Sequence, residues 1–273
     1  MSEGVQTNTI QQGKVVAVCS AKGGIGKTLI SVNLAVSLIK KNLNVCLIDG
    51  DFQFGDVSVA MDLTPTYTIR DIIEEIEDLE SNTVTNFLTR HSSGVSVLAA
   101  PERPEYADLV VSEKVITIIN KLRDNFDYII VDCDAGIQGT TLEMMEIADE
   151  ILVITNLEMT ALKNTKLMLE TLGKLEFREK SQLIINRYTM ESLIKAEDVP
   201  KMLGEEKVIS IPNNFKLASQ SLNLGIPFVI SQGKSDLAKA VFKMTESLVS
   251  KNGIVERKKE NQSLLKKLFP SPR

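Results

Sequence analysis

Short apolar runs alternate with amphipathic stretches along most of the chain, and this alternation constrains the fold more than any other feature of the sequence. The apolar runs predict six buried strands and a weaker seventh, at residues 14–19, 44–48, 95–99, 128–131, 151–154, 182–185 and, most weakly, 208–211. Strands that are apolar along their whole length are typical of a mostly parallel sheet with helices on both faces. The sequence therefore predicts an α/β fold with a doubly wound, mostly parallel sheet.

The chain shows one continuous pattern from residue 14 to residue 251, without a linker rich in Pro, Gly or Ser and without an internal repeat. We therefore expect a single domain over residues 14–251, a flexible N-terminus at 1–13 and a separate tail at 252–273. No apolar run approaches the roughly 18 residues that a membrane-spanning helix needs. The first residues also lack the basic and apolar segments of a secretory signal, which predicts a cytoplasmic protein.

The charge is distributed unevenly. The 273 residues carry a net charge of −5, from 31 basic and 36 acidic side chains. Residues 251–273 contain seven of the basic and two of the acidic side chains, so residues 1–250 hold 24 basic and 34 acidic ones, a balance of −10. A body this acidic argues against nucleic acid as a general partner.

Composition gives little support for a site built from Cys or His. The three cysteines, Cys19, Cys46 and Cys133, are scattered among apolar residues with neither disulfide nor metal-site spacing. The single histidine, His91, lies in the polar run 89–93 and is predicted to be a solvated loop residue.

The first predicted strand is followed by a glycine-rich turn and then by a helical pattern. The turn reads Ala21-Lys22-Gly23-Gly24-Ile25-Gly26-Lys27-Thr28. Backbone N–H groups of Gly23, Gly24, Ile25 and Gly26 can converge on phosphate oxygens at the positive end of the following helix. In such a loop the lysine, Lys27, reaches the β- and γ-phosphates, and the hydroxyl of Thr28 holds Mg²⁺. The sequence therefore predicts a site for ATP and Mg²⁺, in a variant loop whose first glycine is replaced by Ala21.

Carboxylates end two of the other predicted strands. Asp49 and Asp51 follow the second strand, and Asp132 closes the apolar run 128–131. The carboxyl ends of parallel strands are where doubly wound sheets bind ligands. We therefore expect these carboxylates near the phosphate loop, where Asp132 supports Mg²⁺.

The form KGGxGKT, with Lys22 as its first residue, is the deviant Walker A loop, and the chain resembles the MinD/ParA family of P-loop ATPases over residues 14 to about 250. The resemblance implies a nucleotide-sandwich homodimer that ATP closes and hydrolysis opens. It implies that Lys22 reaches the partner's phosphates, and that Lys22, Lys27 and Asp51 are the catalytic residues. It further implies that Asp51 orients the attacking water beside the metal site formed with Thr28 and Asp132.

The resemblance also assigns three more distant positions. It implies that the backbone N–H of Gly136 senses the γ-phosphate and that Asn186 contacts adenine, although Asn186 is also explained as a simple turn residue. Pro212, in the segment 211–214, resembles the other adenine-side loop. Asp134 departs from the family pattern, which has an uncharged residue there, and an extra carboxylate near a triphosphate predicts slow turnover without a partner.

The motif Asp49-Gly50-Asp51-Phe52-Gln53-Phe54-Gly55-Asp56-Val57 is similar to the CpaE/TadZ-type branch, which serves pilus assembly, although we expect this chain to lack the receiver-like domain that is common in that branch. The resemblance thus implies an ATPase that positions a pilus- or secretion-type assembly through an unknown protein partner. Three alternatives stay open: an FlhG- or MinD-like spatial regulator, a nucleotide-gated scaffold with negligible hydrolysis, and a ParA-like DNA partition ATPase.

The tail has the pattern of a short basic amphipathic helix. Leu264, Leu265, Leu268 and Phe269 would form one stripe, with lysines mainly elsewhere, and Pro270 would end the helix. Such a segment can lie in a membrane interface, and it resembles the membrane-targeting tail of MinD. We therefore expect peripheral binding to the inner face of the cell membrane, strengthened when a dimer holds two tails. Docking on a partner or on the chain's own domain are the alternatives.

Overall fold

The computed structural model describes residues 12–137 and 139–251, and in this part of the chain eight strands form one sheet. The strands, numbered along the chain, are β1 (Lys14–Ser20), β2 (Val45–Gly50), β3 (Thr89–Arg90), β4 (Ser96–Leu98), β5 (Tyr128–Ala135), β6 (Glu150–Thr155), β7 (Ser181–Asn186) and β8 (Val208–Ile211). Their order across the sheet is β3-β4-β2-β5-β1-β6-β7-β8. All neighbouring pairs are parallel except β3 with β4. The predicted mostly parallel sheet is confirmed.

Ten α-helices lie within the described residues. They are α1 (Lys27–Ile39), α2 (Val57–Ala60), α3 (Ile69–Glu75), α4 (Ser112–Leu122), α5 (Thr140–Ile147), α6 (Met159–Lys174), α7 (Val199–Leu203), α8 (Phe215–Leu224), α9 (Phe228–Ser231) and α10 (Asp236–Lys251). Three short 3₁₀ helices are also present, at Val84–Phe87, Pro104–Leu109 and Ala196–Asp198. None of the helices in this part of the chain is long and apolar enough to cross a membrane.

The helices cover both faces of the sheet, and the alternation of side chains along the central strand shows why. In β1, Val15, Ala17 and Cys19 pack against one helical layer, whereas Val16 and Val18 pack against the other. The first layer contains α3 to α7, and the second contains α1, α2 and α8 to α10. Both faces of each central strand are buried, which is why these strands are apolar along their whole length. The predicted doubly wound architecture is confirmed.

The strand register brings the predicted carboxylates to one edge of the sheet. β5 lies between β1 and β2, so that Asp132 is the register partner of Val18 on one side and of Asp49 on the other. The glycine-rich turn leaves β1 at this same edge. The residues that the sequence places at strand ends therefore surround the start of α1.

One prediction about the fold's periphery is wrong. His91 is 9% exposed rather than solvated. Its Nδ1 accepts a hydrogen bond from the backbone N–H of Ser93 at 3.1 Å, within the turn between β3 and β4. Burial lowers the pKa of His91, which favours the neutral ring that this acceptor role requires.

Candidate functional site

The turn between β1 and α1 has the backbone geometry of a phosphate-binding loop. Gly24 and Gly26 have φ angles of +75° and +98°, values that favour glycine because it has no Cβ. Gly26 precedes the first residue of α1, and no side chain caps this helix end. The first N–H groups of a helix have no partner within the helix, so this end of α1 suits an anion.

Asn186, at the end of β7, is hydrogen-bonded to the loop. Its Nδ2 donates to the carbonyl oxygen of Ile25 at 2.7 Å, and its Oδ1 accepts from the backbone N–H of Arg187 at 2.9 Å. A Cβ on Gly26 would lie 2.6 Å from Asn186 Nδ2, so any other residue there would require the Asn186 amide to move. In this structure the Asn186 amide therefore holds the phosphate loop, and its predicted contact with adenine stays a prediction.

Asp132 and Thr28 come together as the sequence predicts for a metal site. Asp132 is buried, and its Oδ1 accepts a 2.7 Å hydrogen bond from the Ser31 hydroxyl on α1. Burial raises the pKa of Asp132 to about 6, while hydrogen bonds from Thr28 and Ser31 and the charge of Lys27 act in the opposite direction. Sequence reasoning missed Ser31, although its position one helical turn after Lys27 places both side chains on one face of α1.

Asp49 and Asp51 have different environments despite their proximity. Asp49 is buried, and its Oδ2 accepts the backbone N–H of Val57 at 3.0 Å, which holds the start of α2. Burial, together with the charge of Asp132, raises the pKa of Asp49. Asp51 accepts the N–H of Phe54 at 3.0 Å and lies in the wall of an open cavity. Asp49 therefore holds the backbone at the start of α2, and Asp51 is the carboxylate that faces the open cavity.

A cavity of about 400 Å³ extends from the phosphate loop to α2 and α8. Its lining includes the loop residues Gly23, Gly24, Gly26, Lys27 and Thr28, the carboxylates Asp51, Asp56 and Asp134, and the cation Arg187. A Cβ added to Gly23 or Gly24 would meet nothing within 4 Å, so the loop borders open space where phosphates would lie. The volume falls within the usual range for small-ligand sites, and the loop residues fit a nucleotide triphosphate.

The residues present also fit Mg²⁺ as a nucleotide-bound ion. Among the residues that the structure describes, no three Asp, Glu, His or Cys side chains are grouped to hold a metal ion by themselves. Mg²⁺ usually keeps several waters and takes one or two protein ligands plus substrate phosphates. Thr28 and Asp132, with Asp51 nearby, would supply that small protein share, and the ion would polarise the phosphates during hydrolysis.

Lys22 does not line the cavity of its own chain. Its ammonium lies 2.6 Å from Glu158 Oε2 and donates to the Thr160 hydroxyl at 3.2 Å. Asn156 donates to the other oxygen of Glu158 at 3.0 Å. The hydrogen bonds from Lys22 and Asn156 lower the pKa of Glu158, which favours the carboxylate as a stable partner for the lysine.

Two other predicted positions lie outside the cavity lining. The backbone N–H of Gly136 donates to the carbonyl oxygen of Ser20 at 2.8 Å, so this group already has a partner. Pro212 does not line the cavity, but its loop is tied to the β7 end because Asn213 N–H donates to the Thr189 hydroxyl at 2.9 Å. The roles of Gly136 and Pro212 toward a nucleotide stay predictions. The tail residues Leu264, Leu265, Leu268 and Phe269 lie outside the described residues.

Comparison with known proteins places this site in a family. A family model for an AAA domain matches residues 13–185, which is well over half of the chain. The chain belongs to the MinD/ParA family of P-loop ATPases. Members of this family are ATPases that use ATP and Mg²⁺.

Among curated proteins, the chain is 29% identical over 228 residues to the septum site-determining protein MinD of Synechocystis sp., an alignment that covers 80% of this chain and 83% of the relative. Among solved structures, a ParA family ATPase from Chlorobium tepidum TLS has a TM-score of 0.81 at 23% identity, covering 87% of this chain and 99% of the other. MinD of Pyrococcus horikoshii, solved with Mg-ADP, has a TM-score of 0.76 at 24% identity, covering 88% and 98%. These structural similarities establish the fold.

Proposed function

We propose that the chain is an ATP-dependent dimerising switch that binds the inner surface of the cell membrane and positions a pilus- or secretion-type assembly. The main observation that supports a dimer is the position of Lys22. The neighbouring residues Gly23 and Gly24 border the cavity, whereas the Lys22 ammonium is held outside it by Glu158. Lys22 lies next to the phosphate loop without lining the cavity of its own chain, so its ammonium can contact phosphates bound to a second copy.

Lys27, Thr28 and Asp51 line the cavity, Asp132 lies behind them in contact with Thr28, and these four residues would perform the hydrolysis within each copy. Phosphoryl transfer depends on positioning and charge stabilisation rather than on covalent steps by the protein. Lys27 would neutralise charge on the phosphates, together with an Mg²⁺ ion held by Thr28 and Asp132. Asp51, whose carboxylate faces the cavity, orients the attacking water.

A mixing experiment tests whether Lys22 acts across a dimer. Lys22→Ala and Asp51→Ala should each lose ATP hydrolysis. In a mixed dimer, the Lys22→Ala copy keeps its own Asp51 and receives Lys22 from the other copy, so one of the two sites is complete. An equimolar mixture should therefore recover about one quarter of the wild-type rate of phosphate release, since half of the dimers are mixed. No recovery, with both variants folded and binding ATP, would mean that Lys22 acts within its own chain.

The membrane part of the proposal depends on the tail, residues 252–273, which follows α10 in the sequence. Lys251, the last described residue, pairs with the buried Glu150 at 3.1 Å, so that α10 ends beside the start of β6. Flotation with anionic vesicles should depend on ATP and be lost in a chain lacking residues 256–273, while ATP hydrolysis persists. Vesicle binding that survives this deletion would contradict the role of the tail.

The pilus or secretion assignment is supported by the segment from Asp49 to Val57. In the structure this segment carries Phe54, which is 71% exposed while its N–H is bound to Asp51. An exposed aromatic ring connected to the water-orienting carboxylate suits a protein partner that controls hydrolysis. Pull-down with Phe54→Ala against the wild type, followed by identification of the lost partner, tests the assignment. A division or flagellar protein among the lost partners would favour the MinD- or FlhG-like alternative.

The second candidate is a nucleotide-gated scaffold with negligible hydrolysis, and Asp134 favours it by adding negative charge to the cavity wall. It predicts ATP binding and dimerisation with background phosphate release, even with vesicles present. The third, a DNA partition ATPase, predicts salt-sensitive, ATP-dependent binding to nonspecific duplex DNA, which the acidic body argues against.

A further inference from the structure

We propose that Asp134 makes the site prefer MgATP over metal-free ATP, an inference that rests on the nucleotide site proposed above. Asp134 lies near the end of β5, two residues after Asp132, and its side chain lines the nucleotide cavity. It also lines an adjoining cavity of about 200 Å³, and Asp51 shares both positions. Asp134 and Asp51 therefore stand together between the two cavities.

The Asp134 carboxylate is fixed by its own backbone rather than neutralised. Its Oδ1 accepts a hydrogen bond of 2.5 Å from the N–H of Ala135. Within the part of the chain that the structure describes, it forms no ion pair with Lys or Arg. The Ala135 N–H is a neutral donor, so no cation offsets the Asp134 carboxylate at the cavity wall.

The charges around the cavity do not favour a metal-free triphosphate. Two cations, Lys27 and Arg187, face three carboxylates, Asp51, Asp56 and Asp134. Lys22, the cation next to the loop in sequence, is paired with Glu158. ATP without a metal thus meets a lining with an excess of negative charge, which repels it.

Mg²⁺ changes this balance because it removes two negative charges from the triphosphate before the nucleotide meets the lining. Repulsion by a fixed carboxylate scales with the charge of the ligand, so Asp134 penalises free ATP more than it penalises MgATP. Asp134 is therefore a specificity-determining residue: it discriminates between two forms of the same nucleotide, in favour of MgATP.

The test measures binding rather than turnover. ATP is titrated calorimetrically into the full chain and into Asp134→Asn, with excess EDTA or with excess MgCl₂. Asparagine has nearly the same shape and can still accept from the Ala135 N–H, so the local backbone is kept. Asp236→Asn is the control, because it removes the same charge from an exposed surface position on α10.

At low ionic strength, Asp134→Asn should bind metal-free ATP about tenfold more tightly than the wild type and MgATP only about threefold more tightly. Both gains should shrink in high KCl, because salt screens an exposed charge. The Asp236→Asn control should match the wild type with EDTA and with MgCl₂, at both low and high KCl.

Equal affinities of the wild type and Asp134→Asn would overturn this proposal while leaving the nucleotide site intact. A gain of the same size in EDTA and in MgCl₂, or a gain also seen in Asp236→Asn, would likewise overturn it. A wild type that binds neither form of ATP would overturn the proposed function itself, and this inference with it.

Discussion

Ser31 provides the sharpest test of how the metal-side carboxylate is held. Its hydroxyl donates to the buried Asp132 at 2.7 Å, and the Lys27 carbonyl, at 3.1 Å, is the alternative acceptor for the same proton among the described residues. Ser31→Ala removes a hydrogen bond to a charged group in the protein interior. Such bonds contribute roughly 1.5–3 kcal/mol, and the site is fully buried, so solvent cannot replace the donor.

We therefore expect Ser31→Ala to lower the free energy of unfolding by about 2 kcal/mol, measured by urea denaturation without nucleotide. In a domain of this size that loss corresponds to a fall in Tm of roughly 4–8 °C. Affinity for Mg-ADP should also fall, because Asp132 loses one of the two hydroxyl donors that favour its charged form.

Ser250→Ala is the matched control. Ser250 is also a helical serine, but it is exposed, and among the described residues its hydroxyl bonds to the Ser247 carbonyl alone, at 3.0 Å. This variant should unfold within about 0.5 kcal/mol of the wild type. If Ser31→Ala proves equally harmless, the Ser31–Asp132 bond contributes nothing to the fold, and the reasoning about the metal-side carboxylate is refuted.

Three further substitutions test other parts of the structure. Gly26→Ala should lower the free energy of unfolding by about 1–2 kcal/mol because φ there is +98°, whereas Gly23→Ala should not, and comparing their urea curves decides the point. Glu158→Gln should tighten the ATP-dependent dimer roughly twofold in analytical ultracentrifugation, since Lys22 then leaves a weaker partner; a weaker dimer would show that Glu158 itself belongs to the interface. Asp149→Asn should cost about 2–4 kcal/mol of stability at pH 7, because it removes the negative charge that pairs with Lys14 and Arg123. The hydrogen bonds and charges around this carboxylate outweigh burial and lower the pKa of Asp149, so the wild-type advantage should be complete above the ordinary value of 3.8 and disappear in urea titrations as the pH falls below it.

The sheet and the phosphate loop could be predicted because their signals are local. A strand buried on both faces must be apolar throughout, and a loop that receives phosphates needs glycines where φ is positive. The grouping of Asp49, Asp51 and Asp132 was also predictable, because the carboxyl ends of parallel strands meet at one edge. That rule needs only the strand assignment, without any knowledge of the contacts.

The features that the sequence did not predict have a common cause. Each depends on a partner that is distant in sequence or on a very short element. β3 has only two residues, too few for a periodic pattern. His91 lies among polar neighbours, yet the turn that closes onto β4 buries it. The bond from Lys22 to Glu158 joins residues 136 positions apart, and no pattern near either residue indicates it.

The division of the site between satisfied and open groups bears on how a switch would work. Lys27, Thr28 and Asp51 face the cavity, whereas Lys22 and the Gly136 N–H are bonded to Glu158 and to the Ser20 carbonyl. Lys22 and the Gly136 N–H can therefore bind a ligand only if the new bond is more favourable than the existing hydrogen bond. The Lys22–Glu158 pair is partly exposed and therefore weak, so a triphosphate in a second copy can replace Glu158 at small cost. A nucleotide without a γ-phosphate carries less negative charge and therefore competes less well with Glu158 for Lys22. The same contacts that keep Lys22 and Gly136 occupied in the single chain thus favour a response to ATP over one to ADP.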